Sequence, residues 1–353
     1  MNELIKDLCA RVAQHTATKT PLAIHGGNTK AFYGGAIVGE AIDMRAYCGI
    51  IEYEPKELVL TVRAGTTLTE IERVMDQENQ MLPFEPPHFA DGATIGGTVA
   101  SGLSGPRRPY TGAVRDFVLG TRIINGRGED LNFGGRVIKN VAGYDVSRLM
   151  TGAMGTLGVL LDCSFKVLPK PAREITLRYE MDEATAIQRM NEWAGRPLPL
   201  SATSWCDGVL LVRLSGAASG VKAAKEKLRG ESMDDNVSRD FWAGLRDHRA
   251  GFFSSTEPLW RLSVPSTTPM MQLNMPQWIE WGGALRWVRG ATDINALRSK
   301  VDAVGGHVTL FRHGNKAVGV FHPLQPVLGK IHRNLKAAFD PENMLNPGRM
   351  DNF

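Results

Sequence analysis

Between residues 91 and 158 the chain sets fifteen glycines in 68 positions, about twice the density of the sequence as a whole. A stretch so poor in Cβ atoms cannot build a core from side chains. Glycine reaches positive φ and lets peptide N–H groups come close to an anion or a flat ring, so such a segment folds by laying backbone against a partner. Its densest part runs Pro86-Pro87-His88-Phe89-Ala90-Asp91-Gly92-Ala93-Thr94-Ile95-Gly96-Gly97-Thr98-Val99-Ala100-Ser101-Gly102-Leu103-Ser104-Gly105. Small residues and hydroxyls dominate, and the apolar anchors Ile95 and Val99 predict a docked segment rather than a free loop.

A shorter glycine turn, Gly26-Gly27-Asn28-Thr29-Lys30, follows a buried strand expected at residues 21–24. There Thr29 offers a hydroxyl donor and Lys30 a cation to an anionic group, although a glycine pair after a strand also reads as an ordinary turn. Neither segment has the GxGxxG spacing between strand and helix that a dinucleotide fold of the NAD type needs, and no Walker lysine is present. Gly152, Gly155 and Gly158 precede an expected strand, which is the wrong context for that fingerprint.

The 353 residues suffice for about two domains. A net charge of +4 is spread without a like-charge run, which excludes a nucleic-acid footprint. Cys9, Cys48, Cys163 and Cys206 lie too far apart for a zinc site, an iron–sulfur cluster or a disulfide framework, and they suit a reducing cytoplasm. The acid-bearing N-terminus does not read as a signal peptide, and no apolar run is long enough for a transmembrane segment. Helices are expected at 4–13, 68–77 and 145–150, with Thr67 capping the second and Glu70 three residues on. Strands are expected at 50–53, 58–62, 117–124 and 156–167. After Pro169-Lys170-Pro171 the composition becomes ordinary, with helices expected at 182–193, 217–229 and 292–303 and strands at 201–214, 259–264, 284–289 and 307–312. The fold class is α+β.

These motifs resemble the FAD-binding oxidoreductases of the vanillyl-alcohol oxidase and p-cresol methylhydroxylase type. The resemblance is carried by the first glycine turn, the Pro86 to Gly105 loop and Val114-Arg115-Asp116-Phe117-Val118-Leu119-Gly120. Residues 152–169, of GxxGTLGV and KVLP pattern, and the late Leu345-Asn346-Pro347-Gly348 extend it. Gly105-Pro106-Arg107-Arg108-Pro109, Lys139-Asn140-Val141-Ala142-Gly143-Tyr144-Asp145, Leu259-Trp260-Arg261 and Trp281-Gly282-Gly283-Ala284-Leu285-Arg286-Trp287 are similar to the FAD-binding subunits of bacterial glycolate oxidases.

The resemblance implies a two-part FAD-binding domain over 1–170, an α+β cap over 171–338 and a C-terminal return to the flavin over 339–353. It implies FAD contacts from Gly26, Gly27, Asn28, Thr29 and Lys30, and from Pro87, Gly92, Ala93, Thr94, Gly96, Gly97, Ala100, Ser101, Gly102 and Gly105. Arg107, Gly112, Asp116, Gly155, Gly158, Val159 and Asn346 complete that set. It further implies oxidation of glycolate to glyoxylate beside a second, longer FAD-binding subunit and an iron–sulfur subunit that takes the electrons, with any membrane association peripheral and through those partners. Covalent members carry a histidine where this chain has Thr29, so non-covalent FAD is expected. The stretch Gly305-Gly306-His307-Val308-Thr309-Leu310-Phe311-Arg312 keeps one histidine and no acid of the metal motif found in catalytic 2-hydroxy-acid members, so no metal is expected.

For catalysis the candidates are Arg261 and Arg286, whose guanidinium forks suit a carboxylate, and His307 as base. His88 is the other histidine placed to act as a base. The competing reading makes the arginines strand-bridging ion pairs, the histidines structural, and the chain an FAD-fold scaffold without turnover of its own.

Overall fold

The computed structural model describes residues 2–135 and 144–350, so residues 139–143 of the Lys139 to Asp145 motif lie outside the described residues. The chain divides into two compact units. One draws on the chain up to Leu103, on Ala113–Pro169 and on the chain from Pro323 onward; the other comprises Ser104–Gly112 and Lys170–His322.

In the first unit Ile5, Leu8 and Val12 repeat at helical spacing and form the inner face of the helix Asn2–Thr18. It continues past the expected 4–13 until Lys19, which turns to a φ of 53°. The helix packs on Leu22, Ile42, Ile124, Val159, Leu161 and Leu345. Leu22–His25 pairs in parallel with Glu40–Asp43, and Leu345 bridges to Leu22 on the other side. A five-stranded antiparallel sheet follows the order Ile50–Glu54, Val59–Arg63, Val159–Lys166, Val118–Ile124, Asp130–Gly134. The helix Leu68–Gln77 starts where expected, with Thr67 Oγ1 accepting from the Glu70 N–H at 3.2 Å.

The second unit is an antiparallel eight-stranded sheet. The single strand expected at 201–214 is a hairpin, Leu200–Cys206 and Val209–Gly216, folded at Asp207-Gly208 with φ of 48° and 80°. Asp-Gly is the residue pair that supplies two positive φ angles in a tight hairpin. The helices Glu183–Ala194 and Ala218–Leu228 cover part of one face, while Ile294–Asp302 packs Leu297 and Val301 on Trp260, Leu262, Val288 and Val308.

This partition differs in two places from three consecutive blocks broken at 170 and 338. The segment 323–338 joins the first unit because buried Lys336 donates to the carbonyls of Thr156 and Leu345. Ser104–Gly112 joins the second because Arg107 pairs with Glu174 and Tyr110 packs on that unit's apolar core.

Candidate functional site

The first unit holds a cleft of ≈ 540 Å³ into which both glycine segments open. Gly26, Gly27, Asn28, Thr29 and Lys30 form one wall, and Thr94, Gly97, Ala100 and Ser101 the other. An apolar extension adds Gly96, Gly155, Gly158, Met44 and Leu160. The two segments meet backbone to backbone: a Cβ added at Gly27 would lie 1.8 Å from the Gly92 carbonyl oxygen, and one at Gly26 would lie 2.3 Å from Thr94 Oγ1. Thr94 Oγ1 also accepts from Gly97 N–H at 3.2 Å, so a side chain at 26 would press on a hydroxyl already held in place.

The cleft's electrostatics favour an anion. The N–H groups of Gly27, Asn28 and Thr29 have no hydrogen-bond partner among the described residues, and Asn28 holds a φ of 55°, which lets successive N–H groups converge. Lys30 and Arg349 are both buried and both line the cleft, whereas no Asp or Glu is among its described lining residues. Burial pushes Arg349 down to about 10, with Tyr33 opposing that shift. Arg349 therefore remains a cation at neutral pH.

The late part of the chain closes this wall. Asn346 Oδ1 accepts from Ile24 N–H at 2.7 Å and its Nδ2 donates to the Met154 carbonyl at 2.8 Å. Arg349 donates to the carbonyls of Lys30, Ala31 and Gly35 at 3.1, 3.1 and 2.6 Å. Arg349 was not anticipated from sequence. The signal available was a cation directly after the Leu-Asn-Pro-Gly turn.

Other expected cofactor positions do not line the cleft. Gly92 supplies the carbonyl that Gly27 abuts, Ala93 accepts from Leu68 N–H, Gly102 ends a helix at φ 65°, and Val159 is a core residue. Pro87 is buried outside the lining, and Asp116 is spent on the Ala113 N–H at 2.8 Å. Gly105, Arg107 and Gly112 belong to the second unit. The Arg107 guanidinium binds Glu174 at 2.6 Å and Ser215 at 3.1 Å, within the second unit.

The catalytic candidates also separate. Side chains alternate across a strand, so register decides which residues share a face. Arg261 stands opposite Trp287 and Thr309, but Arg286 stands opposite Leu262 and Ile279, on the face that the helices cover. Arg286 is fully buried and donates to the carbonyls of Thr268, Pro269 and Gly283. The expectation that Arg286 could grip a substrate is therefore corrected. His88 pairs with Glu72 at 3.0 Å, a structural contact.

Arg261 and His307 do come together, with Arg108 of the Gly105-Pro106-Arg107-Arg108-Pro109 motif. The guanidinium of Arg108 lies 4.4 Å from the Trp281 ring centre and that of Arg261 lies 5.2 Å from it. Trp281 itself has a φ of 56°, rare for a bulky residue, and its Nε1 donates to the Gly105 carbonyl at 3.1 Å. His307 is exposed at the start of its strand, and desolvation of its inner side, then the charges of Arg261, His322 and Arg108, pushes its imidazole below the ordinary pKa. Among the described residues no three His, Cys, Asp or Glu side chains form a group able to hold a metal ion.

Comparison with known proteins gives this geometry a context. Residues 3–134 match the family described as FAD binding domain. The chain is 48% identical to glycolate oxidase subunit GlcE of Escherichia coli (strain K12), over 97% of this chain and 96% of that protein. This chain belongs to the GlcE family of glycolate oxidase subunits. Glycolate oxidase subunit GlcD of Bacillus subtilis (strain 168) is 33% identical over 85% of this chain and 77% of that one. The structure of p-cresol methylhydroxylase aligns with a TM-score of 0.73 at 16% identity, covering 98% of this chain and 87% of that one, which shows the shared α+β fold. The cofactor of the GlcE-family chain is FAD, as the motifs imply, and the cleft suits its diphosphate: two buried cations, a run of N–H donors and, among the described residues, no lining carboxylate. Among the described residues no helix is long and apolar enough to cross a membrane.

Proposed function

We propose that this chain is the FAD-binding subunit of a multi-subunit glycolate oxidase, which oxidises glycolate to glyoxylate and passes electrons to an iron–sulfur subunit beside a second, longer FAD-binding subunit. The observation that carries the reading is the cationic cleft formed by the two glycine segments. Gly26, Gly27, Asn28, Thr29 and Lys30, with Thr94, Gly97, Ala100 and Ser101, would hold the cofactor's diphosphate side, and Gly155 and Gly158 would leave room for its flat parts. Bound FAD would supply an acceptor for the two electrons released when a 2-hydroxy acid becomes a 2-oxo acid. Arg261 would orient the substrate carboxylate and His307, neutral at pH 7, would accept the hydroxyl proton. The loss of Arg286 from this set favours a secondary reading, in which the subunit relays electrons or shapes the complex rather than turning over glycolate alone.

The visible spectrum of the purified protein, recorded before and after anaerobic glycolate, tests the proposal. A yellow protein that glycolate bleaches supports turnover on this chain. Bleaching that needs the longer flavin subunit supports relay, and a colourless protein that takes up no FAD overturns turnover and relay alike and leaves only a role in shaping the complex.

Two further results are expected. Acid precipitation should release the flavin into the supernatant, because Thr29 offers no histidine nitrogen for a covalent bond; flavin retained in the pellet would refute non-covalent attachment. In the complete enzyme, kcat/KM should fall on the acid side with an apparent pKa below 6.5, since His307 must be deprotonated and its pKa is depressed. His307→Gln should remove that limb, and a limb left unchanged would discard His307 as the base.

A further inference from the structure

The helix Pro326–Phe339 leaves the apolar residues of its first half on the surface. An amphipathic helix normally turns its apolar stripe to the core. Here Val327, Leu328 and Ile331, which share one side at i, i+1 and i+4, are exposed by 73, 48 and 48%, and Leu324 just before them by 37%. The buried helix residues are instead Gly329 and Lys336. Lys336 anchors the helix through polar bonds, donating to Asp340 at 2.6 Å and to the carbonyls of Thr156 and Leu345 at 2.7 and 3.0 Å. Its inward apolar contacts are confined to the C-terminal turns, where Phe339 packs on the core beside Phe133 and Leu335 is half-buried, whereas four of the exposed large apolar residues fall within eight positions at its start. Patches of this kind mark interaction sites.

Charge identifies the kind of partner. Lys330 and Arg333 are exposed beside the apolar residues, and residues 323–339 contain no Asp or Glu. Beside the helix opens a cavity of ≈ 760 Å³ lined by Arg115, Arg148, His332 and Leu335 among others, with Arg148 also paired to Asp145 at 3.0 Å. We infer that this face is a docking surface for another subunit of the complex, which contributes an apolar strip flanked by carboxylates and a projecting acidic side chain that enters the cavity. Two copies of this chain meeting symmetrically would set Lys330 and Arg333 against like charges. A bilayer surface has no projection to fill a cavity. The inference rests on the reading of the chain as a subunit, and its test reads assembly separately from flavin content.

The double variant Val327→Glu with Ile331→Glu places acids on exposed positions, so the fold should survive, and glutamate is the better helix former. This chain is co-expressed with the longer FAD-binding subunit and the iron–sulfur subunit, and complex formation is read by co-elution in size-exclusion chromatography. The expected result is at least tenfold less complex, with flavin per isolated chain unchanged. The charge reversal Lys330→Glu with Arg333→Glu should weaken assembly in the same direction, most strongly at low salt. Undiminished complex with the first variant overturns the inference. So does flotation of the wild-type chain with phosphatidylglycerol vesicles that the variant abolishes while assembly persists, and so does a concentration-dependent dimer of the isolated chain that the variant dissolves. A colourless chain that still assembles, and loses assembly in the variant, would refute the cofactor proposal and leave the docking surface standing.

Discussion

Gly27→Ala should yield a folded protein that binds FAD about 10- to 100-fold more weakly. The added Cβ would lie 1.8 Å from the carbonyl oxygen of Gly92, and that oxygen belongs to backbone, which has no rotamer to swing away. One of the two glycine segments must retreat, and both form the cleft wall. Overpacking of this kind costs about 1–3 kcal/mol. Each 1.4 kcal/mol is about tenfold in binding, and the displacement acts on the N–H donors themselves. The measurement is the ratio of flavin to protein absorbance after dialysis against graded FAD. Gly244→Ala is the control, since a Cβ there meets nothing within 4 Å. A Gly27→Ala protein with wild-type flavin affinity would show that the contact of the two segments does not shape the site.

The two glycine segments were legible in sequence as places of close backbone approach, though not their contact with each other, for a physical reason. A close approach of backbone to backbone requires glycine at particular positions, and no later packing choice can remove the need. Thr67 capping Leu68–Gln77 was equally legible, because the oxygen and the N–H it serves lie three residues apart. Arg286 failed because its role depends on register. Arg261 and Arg286 carry the same chemistry on neighbouring strands, but the pairing of Arg286 with Leu262 and Ile279 sends it beneath the helices. Nothing local distinguishes the two. Arg107 and Arg108 teach the same lesson at adjacent positions: one turns to Glu174, the other to Trp281. The hairpin at Asp207-Gly208 did carry a local signal, and the unbroken apolar pattern on either side of it concealed the turn.

Arg349→Met should lower stability by about 3 kcal/mol and the midpoint of thermal unfolding by about 5 °C or more. Methionine keeps most of the volume but leaves the carbonyls of Lys30, Ala31 and Gly35 without the donors they have now. The depressed pKa shows that burying this charge is itself unfavourable, so the carbonyl bonds must offset the cost. Because folding lowers this pKa, Arg349's contribution to stability grows more favourable only as pH rises above about 10 toward the ordinary arginine range. At neutral pH no such gain is available, and the arginine acts as a charged clamp. Arg349→Lys should recover only part of the loss, because one ammonium cannot reproduce a planar fork that spans three carbonyls. If the clamp serves the cofactor, saturating FAD will restore more of the lost midpoint in Arg349→Lys than in Arg349→Met, since the lysine still places a cation beside the diphosphate. Equal restoration in both variants would reduce Arg349 to a structural tie between the end of the chain and the first glycine turn.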